Sequence, residues 1–182
     1  DETKRLRSLS SKLMELITVG STKLDYQKVL LHDLLYDVYM ALQPVMDNKS
    51  ITLYWDAPED VMIEVDLELF KSLLYNLVDN SVKASQPGQE IYMIAGFKKR
   101  QLFISVKDQG MGIPEKEIKR ITQPFYMVDK ARTRKAGGAG LGLALCLEIA
   151  RLHHAELLID SKLGKGTIMT ILFSEEGSGG KL

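Results

Sequence analysis

Three short segments hold most of the unusual residues of this chain, and each begins about thirty residues after the one before it. They are LVDNSVKAS at 77–85, VKDQGMGIP at 106–114 and AGGAGLGLALC at 136–146. The first puts polar residues on an apparent helix, and the other two are rich in glycine. Because the rest of the composition is that of an ordinary globular protein, we predict that folding brings these three segments together in one site.

The charge balance and the cysteine content narrow the class of protein. Of 182 residues, 24 are Lys or Arg and 24 are Asp or Glu, so the formal net charge is zero and no global field favours nucleic acid as a partner. The single cysteine, Cys146, excludes an internal disulfide framework and is expected to be a buried thiol. No apolar run is long enough to span a bilayer. The opening sequence DETKRLRSL has a charged helical pattern, and we expect the chain to be a piece of a longer protein.

We divide the sequence into four parts. Residues 1–19 are predicted to form a helix, residues 20–26 a linker, residues 27–174 a mixed α/β domain and residues 175–182 a disordered tail. The first part has leucines at 3-4-3 spacing: Leu6, Leu9, Leu13 and Leu16. That spacing suits either pairing with another helix or an amphipathic helix packed on the main domain.

Within the domain, strand-like and helical segments follow one another along the chain. The predicted strands are KVLLHDL, SITLYWD, DVMIEV, a tight hairpin of EIYMIAGFKK and QLFISVKD, and a hairpin within AELLIDSKLGKGTIMTILF. The predicted helices are DLLYDVYMALQPVMDNK with Asp33 as N-cap, DLELFKSLLYNLVDNSVKAS with Asp66 as N-cap, a short one at PEKEIKRI, and GLGLALCLEIARLHH.

The first segment lies on the clearest helix. Its apolar face is Phe70, Leu73, Leu74 and Leu77. Asn76, Asn80 and Lys83, spaced i, i+4 and i+7, form a polar stripe beside that face. Amide oxygens can ligate Mg²⁺ and a lysine can bind phosphate, so the stripe suits a metal-bound polyphosphate. The alternative is a solvated helix face with chance asparagines.

The second segment ends a core-facing row of strand residues: Leu102, Ile104, Val106 and Asp108. A buried carboxylate at the end of such a row needs a donor, and the exocyclic amine of a purine would serve. Gly110 and Gly112 then allow the backbone to approach a flat ring closely. The alternative is an ordinary turn in which Asp108 accepts hydrogen bonds from backbone amides.

The third segment opens a helix with Gly138, Gly140 and Gly142. Free backbone N–H groups and the positive end of a helix make an anion site. No strand immediately precedes the glycines and no acidic residue follows at dinucleotide spacing, so a Rossmann site is not expected. The chain also lacks the GxxxxGK[ST] pattern of a P-loop.

Taken in order, LLYNLVDNSVKAS, DQGMGI, PFYMVD and GAGLGLAL resemble the N, G1, F and G2 boxes of the ATP-binding domain of sensor histidine kinases. This is the Bergerat fold shared with gyrase, Hsp90 and MutL, and the resemblance covers residues 27–173. It implies an α+β, two-layer sandwich in which helices cover one face of a mixed, mostly antiparallel sheet, with a mobile ATP lid. The first 19 residues resemble the end of the second dimerization helix of such kinases.

The resemblance implies a role for each matching position. Asn76 and Asn80 would hold Mg²⁺ and phosphate, Lys83 would contact phosphate, and Asp108 would accept the adenine amino hydrogen. Further positions expected to contact the nucleotide are Gly110, Gly112, Ile113, Phe125, Tyr126, Lys130, Gly138, Gly140, Leu141, Gly142, Leu143 and Thr167. Residues 121–139 would form the lid, with Phe125 as its anchor. Its basic run is Lys130, Arg132, Arg134 and Lys135, and Arg132 or Arg134 would stabilise charge on the transferring phosphoryl group, unless the run is only a solvated loop.

The histidines depart from the family pattern. The phosphoacceptor of these kinases lies in an H-[ED]-x-x-[TN]-P motif, which none of His32, His153 and His154 matches. The two adjacent histidines are expected at the end of a helix, whose C-terminus favours a positive charge on them. The acceptor histidine would therefore lie on another domain of the same or a paired protomer, before relay to a response-regulator aspartate. The resemblance also implies a homodimer and a cytoplasmic domain of a membrane-anchored bacterial sensor.

Three alternatives share or reuse this fold. An ATP hydrolase related to Hsp90 or MutL would need a glutamate as base where this chain has Asn76, and an amide cannot take a proton from water. A second alternative is an anti-sigma-type serine kinase of the same fold, against which the helix ahead of the domain favours the histidine kinase. A nucleotide-binding scaffold would keep the fold and lose the chemistry.

Overall fold

The computed structural model describes residues 2–20, 23–128 and 139–174. The helices are α1 Glu2–Val19, α2 Leu31–Lys49, α3 Leu67–Ala84, α4 Glu115–Ile118 and α5 Gly142–Leu152. The strands are β1 Tyr26–Leu30, β2 Thr52–Asp56, β3 Met62–Asp66, β4 Glu90–Lys98, β5 Gln101–Asp108, β6 Ala155–Lys162 and β7 Gly166–Phe173. None of the described helices is both long enough and apolar enough to cross a membrane. The predicted tail at 175–182 lies outside the described residues.

The main sheet has five strands in the order β2-β4-β5-β7-β6. Only the β2–β4 pair is parallel, and the other three pairs are antiparallel. Alternate residues of β4, β5 and β7 are buried, and they pack with the buried faces of α2, α3 and α5 in one hydrophobic core. The predicted two-layer α+β fold with a mixed, mostly antiparallel sheet is therefore confirmed.

The turn between β4 and β5 is as tight as the sequence predicts. Lys98 pairs with Gln101, so only two residues connect the strands. Both of them, Lys99 and Arg100, have positive φ angles, 50° and 70°, which suit a hairpin turn that follows the right-handed twist of its strands. The hairpin fixes the register that puts Asp108 opposite Ile91 at the end of β5.

The two predicted helix caps have different outcomes. Asp66 caps α3 as predicted, because its side chain accepts a hydrogen bond from Leu69 N at 3.2 Å. The prediction for Asp33 is wrong, since α2 begins two residues earlier, at Leu31, and Asp33 lies in its first turn. The backbone passes directly from β1 into α2, and Val61 O satisfies Leu31 N at 2.9 Å in place of a side-chain cap. Burying Leu31 completely in the core favours the earlier start.

A second, two-stranded sheet was not predicted. Strands β1 and β3 pair antiparallel, with Tyr26 opposite Asp66 and Leu30 opposite Met62. This ribbon precedes α2 on one side and α3 on the other, so it fixes where both helices begin relative to each other. The start of α3 in turn sets the position of the polar stripe that follows along that helix.

Helix α1 packs on the domain through its C-terminal half. Val19 is 2% exposed, and Leu16 packs against the core. Leu13 is half-buried, whereas the side chains of Leu6 and Leu9 lie outside the described residues. This half of the helix therefore agrees with the interpretation of an amphipathic helix packed on the main domain. Its assignment as the end of a dimerization helix stays a prediction.

Candidate functional site

Helices α3 and α5 run antiparallel, and this arrangement brings the first and third sequence segments together. A Cβ atom added at Gly142 would lie 3.1 Å from Asn76 Oδ1 and 3.8 Å from Asn80 Nδ2. One turn further along α5, Cys146 Sγ lies 3.6 Å from Leu73 O, to which it donates. Burial raises the pKa of the Cys146 thiol to about 12, as expected for a buried thiol outside the chemistry. The glycine that opens α5 therefore allows this helix to approach both asparagines.

The two asparagines hold their amides differently. Asn76 is 6% exposed, and its Nδ2 donates to Ser72 O on the preceding turn at 2.8 Å. This bond leaves Asn76 Oδ1 as the outward atom, where it accepts a hydrogen bond from Lys12 Nζ of α1 at 2.7 Å. Asn80 Nδ2 is buried and has no hydrogen-bond partner among the described residues. A buried amide donor without an acceptor is costly, so this position is suited to an anionic ligand.

The third residue of the stripe is engaged with its own helix. Lys83 Nζ contacts Asp79 Oδ2 at 2.6 Å, an i−4 pair whose members are both partly exposed. An ion pair of this kind contributes little and exchanges readily. The structure thus puts Lys83 on the same side of α3 as the asparagines, and its predicted contact with phosphate stays a prediction.

Asp108 is the buried carboxylate at the end of β5. It is 2% exposed, and its Oδ1 accepts hydrogen bonds from Gly110 N at 2.9 Å and from Thr167 N at 3.2 Å. Burial raises the pKa of the Asp108 carboxyl, and the Gly110 amide, the Ser81 hydroxyl and the Thr167 amide lower it in part. The Ser81 hydroxyl is buried near this carboxylate, but among the described residues it has no hydrogen-bond partner at a normal distance and angle. The backbone donors of the turn interpretation are therefore present, and they occupy only one of the two carboxylate oxygens.

The loop after Asp108 is fastened to the β6–β7 hairpin. Gly112 has a φ of +66°, and a Cβ atom there would lie 2.1 Å from Lys162 O. Ile113 N donates to Ser161 Oγ at 2.8 Å, and Ser161 Oγ lies 2.8 Å from Thr167 Oγ1. The sequence did not single out Ser161, although its pairing with Thr167 across a predicted hairpin could have suggested it. Only glycine fits at position 112, so the second segment needs it for close packing of the loop.

The segments before and after residues 129–138 meet through a backbone hydrogen bond. Phe125 N donates to Gly140 O at 2.8 Å, while the Phe125 side chain is 54% exposed. Tyr126 OH donates to Glu117, and the Tyr126 ring lies under Arg120 at 4.4 Å. Leu141 is fully buried and Leu143 packs against the core. Phe125 is thus held through its backbone, and its role as an anchor of the lid stays a prediction.

Part of the predicted lid cannot be compared with the structure. Residues 129–138 lie outside the described ranges, and they include the predicted site residues Lys130, Arg132, Arg134 and Gly138. Lys135 lies there as well. These assignments stay predictions.

The expectation of a charged His153 is wrong. This residue is 3% exposed and ends α5, where its Nε2 accepts from Asp66 N at 3.0 Å and its Nδ1 lies 2.7 Å from Ile149 O. An imidazole that accepts at Nε2 and donates at Nδ1 is the neutral tautomer. Burial lowers the pKa of His153, opposed by its bond to Ile149 O. Desolvation therefore outweighs the helix C-terminus, which would favour the charge.

Comparison with known families agrees with this arrangement of segments. The sequence profile of the family described as histidine kinase-, DNA gyrase B- and HSP90-like ATPase matches residues 65–177, more than half of the chain. The chain belongs to this family. The matched range contains all three of the segments from which the site is built, and the resemblance inferred from them is confirmed.

Individual proteins resemble the chain in sequence or in fold. The sensor histidine kinase YkoH of Bacillus subtilis (strain 168) is 42% identical over 144 residues, which are 79% of this chain and 31% of YkoH. Full-length ShkA in complex with AMPPNP superposes with a TM-score of 0.81 at 23% identity, covering 92% of this chain and 35% of ShkA. Histidine kinase ThkA in complex with the response regulator protein TrrA gives a TM-score of 0.76 at 23% identity, covering 96% of this chain and 49% of ThkA. The chain spans less than a third of the length of curated relatives such as YkoH.

Proposed function

We propose that this chain is the ATP-binding catalytic domain of a two-component sensor histidine kinase, and that it passes the γ-phosphoryl group of ATP to a histidine on another domain. The observation that carries the proposal is the convergence of the three segments. Asn76 and Asn80 face Gly142 across the α3–α5 pair, and Ser81, the residue after Asn80, neighbours Asp108. The two amides and the buried carboxylate therefore lie near each other, as a phosphate cradle and a base-reading group would.

The polyphosphate would lie at the end formed by the asparagines and α5. Helix α5 begins at Gly142 with Leu141 as N-cap, which offers no side-chain acceptor, so the first-turn N–H groups are available to an anion. Asn80 Nδ2, for which the described part of the chain provides no acceptor, is a further donor. Asn76 Oδ1 and the Asn80 amide oxygen fit Mg²⁺, an oxygen-seeking cation that shares phosphate ligands. Bound there, Mg²⁺ would neutralise charge on the phosphates.

The adenine would lie against Asp108 and the loop that carries Gly112. One carboxylate oxygen accepts the two backbone hydrogen bonds, which leaves the second free of them to accept from the exocyclic amine. Thr167, which is 5% exposed, and Ser161 support this end through their own hydrogen bonds. The base is then held by a hydrogen bond that reads its amine and by close packing with the backbone.

Transfer to a histidine, and not to water, is the reaction we propose. No base that could deprotonate water stands at the first position of the stripe, because that position is Asn76. Relatives with the same domain are named sensor histidine kinases, and one structural neighbour was solved with a response regulator. The parent protein is proposed to be a homodimeric bacterial sensor anchored in the membrane, with this domain in the cytoplasm.

The test is phosphoryl transfer in trans. The chain is incubated with γ-labelled ATP and Mg²⁺, alone and with a separate helical-hairpin domain that carries the parent's acceptor histidine. We expect acid-labile label on that histidine and almost none on the chain itself. Asn80→Asp should abolish the labelling, because a carboxylate there repels phosphate. The exposed Asn48→Asp, which makes the same chemical change on α2, should not.

Two results would count against the proposal. Strong acid-labile labelling of the chain alone would mean that one of its three histidines is the acceptor. Acid-stable label on a serine of a partner would favour the anti-sigma-type kinase.

A further inference from the structure

Among the described side chains, two polar contacts join α1 to α3, and both fall on the side of the polar stripe. Lys12 Nζ donates to Asn76 Oδ1 at 2.7 Å, and Glu15 accepts a hydrogen bond from the Ser72 hydroxyl. Lys12 and Glu15 are three residues apart on α1, and their partners are four residues apart on α3, so two successive helical turns meet. Val19, which is 2% exposed, anchors the same helix in the core.

The Lys12 contact uses the atom that the proposed site needs. The Asn76 amide is oriented by its Nδ2 bond to Ser72 O, and its Oδ1 is the atom that lies nearest to Gly142. The ammonium of Lys12 therefore occupies the oxygen that the proposed Mg²⁺ site requires. Two cations that share one partly buried amide oxygen repel each other, and the repulsion is stronger there than in water.

We propose that Lys12 is a built-in competitor of Mg²⁺ for Asn76. With α1 docked, the ammonium holds Oδ1, and Mg²⁺-nucleotide binds only when that hydrogen bond is broken. The competition is reciprocal. If docking of α1 weakens the binding of Mg²⁺-nucleotide by a certain factor, bound Mg²⁺-nucleotide weakens the docking of α1 by the same factor. The proposal rests on the proposed ATP site. It implies that docking of α1 lowers the affinity of that site for Mg²⁺-nucleotide.

The first experiment measures how much Mg²⁺ the chain needs to bind a non-hydrolysable ATP analogue. Lys12→Met keeps the length of the side chain and removes the charge. We expect the Mg²⁺ concentration for half-maximal binding to fall roughly three- to tenfold, the factor that one hydrogen bond of ordinary net strength corresponds to. Binding of the analogue in EDTA should not change. Lys28→Met, at an exposed position on β1, is the matched control and should leave both measurements as in the parent.

The second experiment measures the same competition as a change in the hydrogen exchange of α1. Backbone hydrogen exchange in residues 11–19 of the unsubstituted chain should accelerate when Mg²⁺ and the analogue are added. In the Lys12→Met chain it should already be faster before the addition, and the ligand should change it less.

The outcomes separate this proposal from the one on which it rests. If the unsubstituted chain binds the analogue and Lys12→Met does not lower the Mg²⁺ requirement, the competition is refuted and the ATP site stands. If Lys12→Met weakens binding in EDTA, then Lys12 contacts phosphate and the proposal is equally wrong. If neither chain binds the analogue at any Mg²⁺ concentration, the ATP site is refuted, and the competition with it.

Discussion

We expect that replacing Asp108 by asparagine weakens the binding of ATP without destabilising the fold. In the structure, Oδ1 of Asp108 accepts the hydrogen bonds of Gly110 N and Thr167 N. The amide oxygen of an asparagine can accept the same two bonds. The other carboxylate oxygen then becomes an NH₂ group, which cannot accept the hydrogen of an adenine amine. The substitution therefore keeps the two hydrogen bonds to the backbone and removes the acceptor that is proposed for the adenine amine.

The two consequences have opposite signs. A hydrogen bond to a charged group contributes about 1.5–3 kcal/mol, so the dissociation constant for ATP should rise roughly 10- to 150-fold. Folding should not weaken, because burial raises the pKa of the Asp108 carboxyl, and a neutral amide is easier to bury than a carboxylate. The melting temperature of the nucleotide-free chain should stay the same or increase.

Isothermal titration with a non-hydrolysable ATP analogue measures the affinity, and thermal unfolding without nucleotide measures the stability. Asp160→Asn, at an exposed position on β6, is the matched control and should change neither. The assignment of Asp108 to the base fails if Asp108→Asn binds the analogue as tightly as the parent. A loss of affinity that accompanies an equal loss of stability would indicate a purely structural residue.

Two further predictions concern the stability of the fold. Gly112→Ala should lower the free energy of unfolding by more than about 2 kcal/mol, because a left-handed backbone costs a residue with a Cβ roughly 1–2 kcal/mol and the new atom also collides with Lys162 O. Gly88→Ala, at a φ of +84° with nothing within 4 Å, isolates the backbone cost, and equal losses in urea unfolding would disprove the collision. Because of His153, the free energy of unfolding should decrease as the pH drops below 6.5, the ordinary pKa of histidine, by up to about 1.4 kcal/mol per pH unit. The reason is that the unfolded chain binds a proton at this imidazole, whereas the buried imidazole of the folded chain stays neutral. In His153→Gln this part of the pH dependence should disappear, and parallel losses in both chains between pH 7.5 and 5.5 would contradict it.

Patterns that depend on neighbouring residues could be predicted from the sequence. The apolar face of α3 follows from the helical period, and its four predicted residues are fully buried. The row that ends at Asp108 follows from the alternation of a strand, and it is buried throughout. Asp66 caps α3 because an N-cap needs only a side-chain acceptor and the next turn of helix.

Features that depend on distant residues could not be predicted in the same way. Asp33 has the right chemistry for a cap, but a backbone carbonyl almost thirty residues later fixes where α2 begins. The charge of His153 depends on burial beneath other elements and on the amide of Asp66, 87 residues away. The contact of Lys12 with Asn76 spans 64 residues. No local pattern marks these three pairings, since each is set by how complete elements pack.

The hydrogen bonds of His153 fix the α3–α5 pair at one end, so a small change of angle there moves the other end of the pair. They fasten the last turn of α5 to the first turn of α3, while the asparagines and Gly142 meet at the opposite end. A helix of 11 residues is about 15 Å long. A pivot of about 4° at the imidazole therefore moves Gly142 by about 1 Å against Asn76 and Asn80, a large fraction of a hydrogen-bond length. A small rotation about the hydrogen bonds of His153 would therefore change the width of the proposed phosphate site at the opposite end of the helix pair.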